Sequence, residues 1–192
     1  MVPIMGPSVI RTLSSGVNQS GVRDYNERLL LTLLQRNGPT PGSDLARLAN
    51  LSPQTVSIIL REMESEGLLS RGEPIKGKVG KPSIPMSLAE GGVLSFGFKI
   101  GRRSAVLLLT DFRGTVRHQL KLSYKYPMPV PIFRFLQEGM DEITSRYRPA
   151  ERERICGIGI ASPFELWKWN ELVDAPAAEF SSWKDVDFYA EL

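Results

Sequence analysis

The sequence predicts an α+β chain in two parts, a small helical module with a basic hairpin and then a strand-rich segment, and three stretches carry that prediction. Leu51 to Arg61 opens like a capped helix, with an apolar stripe on one face and a polar stripe on another. Gly72 to Ser83 places Lys76, Lys78 and Lys81 among glycines and prolines, between two short β-prone runs. After Glu90-Gly91-Gly92 the hydrophobic pattern turns from helical spacing to strand alternation, which marks a boundary between two parts.

The first of these stretches organises the rest. Ser52 is placed to accept from the free backbone N–H groups of a first helical turn, and Pro53 takes the first helical position, where its missing N–H costs nothing. Val56, Ile59, Leu60 and Met63 then fall at i, i+3, i+4 and i+7, while Gln54, Ser57, Ile58 and Arg61 repeat that spacing on another face. A glutamine suits adenine, an arginine suits guanine or phosphate, and an isoleucine meets a thymine methyl. One stripe packs and the other has the character of a recognition helix.

Upstream, a helix from Val22 carries Leu29, Leu30, Leu33 and Leu34 and stops at Asn37-Gly38-Pro39. Ser43 or Gly42 opens a second, short helix with Leu45, Leu48 and Ala49 expected inward and Asp44 near its positive end. Asn50-Leu51 is the turn into the third helix, which completes a helix-turn-helix whose last helix would enter the major groove by its N-terminal half. Glu62, Glu64 and Glu66 would be repelled by phosphate and so turn the C-terminal half away from DNA, and Gly67 ends the helix. Leu68 to Arg71 and Ile84 to Leu88 read as the strands of a wing. Its three lysines suit phosphate or minor-groove contact, with a solvated hairpin loop as the bland alternative.

The second segment reads as strands over Val93 to Ile100, Ala105 to Thr110 and Thr115 to Tyr124, with a turn at Asp111 to Gly114. Pro127, Pro129 and Pro131 are expected in a loop. Ile132, Phe135, Leu136, Met140 and Ile143 recur at helical spacing, and a charged run covers Arg146 to Arg154. Ile155 to Ala161 is expected as a buried strand with Cys156 a small core residue, and Trp183 to Leu192 as a short second helix.

Composition narrows the classes. The 192 residues are 42% hydrophobic with a net charge of only +3, so any argument for nucleic acid rests on where the charge sits. One cysteine, Cys156, and one histidine, His118, leave no internal disulfide and no zinc cluster. The run Met1 to Leu13, broken by Pro3, Gly6 and Pro7, resembles neither a signal peptide nor a membrane span, so a cytoplasmic protein is expected. Ser14 to Gly21 reads as a mobile arm.

Several segments in order resemble one family. They are Asn18 to Asn26, Leu51 to Ser57, Gly80-Lys81-Pro82, Phe96 to Gly101, Asp111 to Gly114, and Gly157-Ile158-Gly159-Ile160-Ala161-Ser162-Pro163. Together they resemble the ROK proteins (repressors, open reading frames and kinases), in particular their sugar-responsive transcriptional repressors. The resemblance implies a flexible arm over 1–20, a winged helix-turn-helix DNA-binding domain over 21–90, and over 91–192 the first part of an actin-like ATPase (ribonuclease H-like) α/β domain. Double-stranded DNA, a homodimer on a palindromic operator and a sugar effector are the implied partners. On this reading Gln54, Thr55, Ser57 and Arg61 lie near bases, Arg47, Arg71, Lys76, Lys78 and Lys81 near phosphates, and Ser52 is a further DNA-binding residue.

The chain also departs from that family. Lys99 stands where the kinase members carry a magnesium-handling Asp, and Arg102-Arg103 stand where small residues would admit phosphate. A lysine does not ligate magnesium, so no kinase activity and no cofactor are expected. The family's sugar-contacting and catalytic segments and its zinc loop fall beyond Leu192, so the chain is expected to be truncated, to lack the effector site and to leave apolar surface in 91–192 open for a partner. Pro163-Phe164 replaces the Pro-Gly of many members, and Trp167, Trp169 and Trp183 are open between sugar stacking and core. A sugar kinase relative and a protein-interaction module without DNA specificity are the alternatives.

Overall fold

A computed structural model of the chain describes residues 19–75, 83–164, 166–168, 180–188 and 190. The chain divides into two compact units, Met1–Gly92 and Val93–Leu192.

In the first unit α1 (Gln19–Asn37) leads through β1 (Thr40–Pro41) into α2 (Gly42–Ala49) and α3 (Pro53–Ser65), followed by β2 (Leu69–Arg71) and β3 (Pro85–Leu88). The helix expected from Val22 therefore starts earlier, at Gln19, within the segment read as an arm. The strands form an antiparallel sheet in the order β1-β3-β2. Leu30 and Leu34 of α1, Leu45 and Ala46 of α2, the four-residue apolar stripe of α3, and Leu69, Met86 and Leu88 of the sheet are all buried. Burial of this set supplies the driving force that holds three short helices on a small sheet. Leu48, expected inward, is instead 51% exposed, because α2 turns Leu45 and Ala46 to the core.

The second unit holds β4 (Leu94–Ile100), β5 (Ser104–Asp111), β6 (Val116–Ser123), α4 (Pro129–Ser145), the short α5 (Pro149–Arg152) and β7 (Ile155–Ala161). The sheet order is β6-β5-β4-β7, antiparallel across the meander and parallel between β4 and β7. Register sets Phe96 against Leu109, Phe98 against Leu107 and Ile100 against Ala105, so one face of the sheet is continuously apolar. Ile132, Phe133, Leu136 and Ile143 of α4 join that core. Gly139 is the close approach: a Cβ there would lie 2.8 Å from Leu107 Cδ2.

Pro129 and Pro131 belong to α4 and not to a loop. They occupy its first turn, where N–H groups have no intrahelical acceptor, and the first helical bond comes one residue later, from Ile132 N–H to the Met128 carbonyl. β7 is a strand as expected, but it is not buried: Ile158 and Ile160 pack on the core, while Cys156, Gly157, Gly159 and Ala161 are exposed. Its only hydrogen-bonded neighbour among the described residues is β4, and its second face lies open, so Cys156 is an exposed thiol and not a core residue.

Asp111 anchors the turn after β5. Its buried carboxylate accepts from the backbone N–H groups of Arg113 and Thr115, both at 2.9 Å, and from Arg117 Nε at 2.8 Å. Burial alone would raise its pKa, but these donors outweigh it and hold the carboxyl below its ordinary value. Further along, the expected C-terminal helix is a 3₁₀ turn, Ser181–Asp185. Trp183 is buried, packs against Phe133 and Phe188, and donates from Nε1 to the Pro127 carbonyl at 2.9 Å, so this tryptophan is a core residue. The side chains of Trp167 and Trp169 lie outside the described residues. No described helix is long and apolar enough to cross a membrane.

Candidate nucleic-acid interface

Local sequence builds α3 as a presented helix. Ser52 has extended backbone and its Oγ accepts the Thr55 N–H at 3.1 Å, a side-chain cap, with Pro53 next in the first helical position. Asn50 makes the preceding turn in the left-handed conformation (φ 54°), which asparagine tolerates better than most residues. At the other end Gly67 (φ 76°) reverses the chain, and Leu68 N–H returns to the Met63 carbonyl at 2.8 Å. The helix is thus fixed at both ends. Its buried stripe of Val56, Ile59, Leu60 and Met63 fixes its rotation.

That rotation leaves Gln54, Ser57, Ile58 and Arg61 exposed, with Ile58 showing 47% of its surface. Thr55 is half-buried, and its hydroxyl lies 2.8 Å from Ser52 Oγ, so these two expected contacts serve the cap in the free chain. Arg47 on α2 pairs with Asp44 at 3.1 Å and is well exposed. A groove beside α3 is lined by Ser57, Arg61, Glu64 and Arg71 with Ser43 and Ile84. A second hollow, at the helix-turn-helix corner, is lined by Arg47, Asn50, Ser52 and Pro53 among others. Lys76, Lys78 and Lys81 lie outside the described residues; the hairpin base is described, with Ile75 and Ser83 bridged.

The acidic half of α3 differs from the simple repulsive picture. Glu64 accepts from Arg71 Nε at 2.6 Å, and Glu62 pairs with Arg23 at 2.8 Å. The hydrogen bond from Arg71 holds the Glu64 carboxyl below its ordinary range and raises the Arg71 guanidinium further. Two of the three carboxylates are therefore offset by arginines of neighbouring elements. Sequence reasoning missed the pairing and the groove position of Ile84, although Ser57, Arg61 and Glu64 at i, i+4 and i+7 already lay on one stripe.

In the second unit Lys99, Arg102 and Arg103 are exposed at one end of the sheet. Arg103 donates to the Lys125 carbonyl, and Tyr124 donates from its hydroxyl to the Gly101 carbonyl at 2.9 Å. Burial pushes the Tyr124 hydroxyl up to about 12. Among the described residues no group of three or more His, Cys, Asp or Glu side chains is arranged to hold a metal ion.

Residues 23–70 match the family described as winged helix-turn-helix DNA-binding. The xylose repressor of Bacillus spizizenii is 24% identical over 170 residues, covering 88% of this chain and 43% of the repressor. That of Bacillus subtilis is 22% identical over 186 residues, covering 91% of this chain and 44% of the repressor. The chain thus spans less than half the length of the curated relatives it matches. Among solved structures, a ROK family transcriptional regulator described as a homologue of the E. coli Mlc protein superposes with a TM-score of 0.53 at 20% identity. The match covers 74% of this chain and 36% of that one. The first unit therefore carries a winged helix-turn-helix, and the chain shares its fold with part of that ROK family regulator.

Proposed function

We propose that the chain is a sequence-specific DNA-binding transcriptional regulator, a repressor of sugar-metabolism genes that works in the cytoplasm as a homodimer. The observation that carries this reading is α3 itself: a helix capped at both ends, rotated by a buried stripe, with Gln54, Ser57, Ile58 and Arg61 presented outward. In this reading α3 lies in the major groove, Gln54 and Arg61 meet base edges, and Arg47 and the wing lysines neutralise phosphates. In this reading residues 21–90 are the DNA-binding domain and residues 91–192 belong to a regulatory one. The names of the two xylose repressors support a sugar as effector. Kinase activity is no part of this reading, because the exposed Lys99 ammonium and the Arg102-Arg103 turn oppose a magnesium ion at that end of the sheet.

The test is fluorescence anisotropy of the chain on DNA from upstream of its own gene against a scrambled duplex, at two salt concentrations. Tighter binding to the upstream DNA that weakens with salt is the expected outcome. Equal, weak binding to both duplexes would refute sequence-specific recognition by this chain.

A further inference from the structure

The groove beside α3 contains a carboxylate that DNA would ordinarily repel, and its geometry explains why it is there. Ser57, Arg61 and Glu64 stand at i, i+4 and i+7, so Glu64 continues the outward stripe by one turn and lines the same groove. Its Oε1 takes the Nε hydrogen of Arg71, the last residue of β2, at 2.6 Å. Nε is the inner edge of the guanidinium. The two terminal nitrogens carry no described hydrogen bond, and the side chain remains 54% exposed. An arginine gripped at Nε presents a fixed planar fork, the shape that engages guanine O6 and N7 in pairs, whereas an ungripped one behaves as a mobile charge suited to any phosphate.

We propose that Glu64 is a positioning residue for DNA readout, holding the Arg71 fork in the groove that Ser57 and Arg61 line, so that Arg71 determines sequence specificity and is not a diffuse phosphate contact. This rests on the DNA-binding reading above. It assigns a role to the acidic half of α3 and joins the first strand of the wing to the recognition helix as one reading surface.

The experiment takes the full chain, selects its preferred duplex from a randomised pool, and measures affinity for that duplex and a scrambled one. Glu64→Ala is expected to lower the preference about 10-fold, at the scale of one lost bidentate base contact, while binding to the scrambled duplex holds or tightens as a negative charge leaves the groove. Glu64→Gln still accepts from Nε and is expected to keep most of the preference. In an Arg71→Ala background Glu64→Ala is expected to add nothing further. Arg71→Lys keeps the charge, leaves the salt slope intact and loses the preference, which tests the fork even if Glu64→Ala folds poorly. A preference unchanged in Glu64→Ala, an equal loss on both duplexes, or Gln behaving like Ala would overturn the positioning role while the DNA-binding reading stands. Failure of the wild-type chain to enrich any duplex would overturn both.

Discussion

Replacing Asp111 by asparagine tests the second unit where its chemistry is most concentrated. The carboxylate is almost fully buried and takes three donors: the Arg113 and Thr115 backbone N–H groups and the Arg117 guanidinium. Asparagine keeps one oxygen for the two backbone donors but turns an amide N–H toward Arg117, itself a donor. The loss is then one charge-assisted hydrogen bond, and since Arg117 is partly exposed and regains water, Asp111→Asn is expected to cost about 1.5–3 kcal/mol. Alanine also strips the turn amides of their acceptor and is expected to cost about 1 kcal/mol more. Urea unfolding followed by tryptophan fluorescence measures this in the right unit, because Trp167, Trp169 and Trp183 all lie beyond Val93. The sign with pH follows from a native pKa held below the unfolded value of about 3.9. The wild-type advantage is complete above about pH 4 and is lost as pH falls through the lower native value. Identical urea midpoints, or a wild-type advantage that stays constant from pH 7 to about pH 3, would refute the assignment.

Four further outcomes are expected. Ser52→Ala removes the side-chain cap of α3 and should cost about 1 kcal/mol of stability by thermal or chemical unfolding, with Ser52→Asp close to wild type. On the selected duplex Gln54→Ala should relax preference at one base pair by about 1–3 kcal/mol, whereas Arg47→Ala should weaken all duplexes alike and reduce the salt slope by about one, both read by anisotropy titration. Gly139→Val drives a branched side chain into Leu107 and Leu120 and should destabilise the second unit by about 1–3 kcal/mol or more in the same fluorescence assay.

The parts that were legible from sequence are those fixed by local rules. Ser52-Pro53, the four-residue stripe and Gly67 each specify a piece of α3, and all three agree. The meander was legible because alternation in β4, β5 and β6 survives whatever packs above it. What escaped depends on partners. α2 has only eight residues, too few for spacing to choose between Leu48 and Ala46 as the inward position. β1 has two residues and no period; only its pairing with β3 makes it a strand. The glycine-isoleucine run of β7 has the composition of a buried strand, yet exposure is decided by what covers the sheet. The prolines of α4 mislead because proline is disruptive inside a helix and harmless in its first turn. The Glu64–Arg71 pair spans a helix end, a turn and a strand, and no spacing rule reaches that far.

The bond from Trp183 to the Pro127 carbonyl joins residues 56 apart, and that separation has an order in time. A chain leaving the ribosome delivers the meander and α4 well before Trp183 and Phe188, the two rings that pack on Phe133. Until they arrive, Phe133 lacks the two rings that pack on it in the folded unit, so the aromatic side of this core is completed last. So distant a contact, like the pairing of β4 with β7, raises the contact order of the unit, and high contact order goes with slower folding.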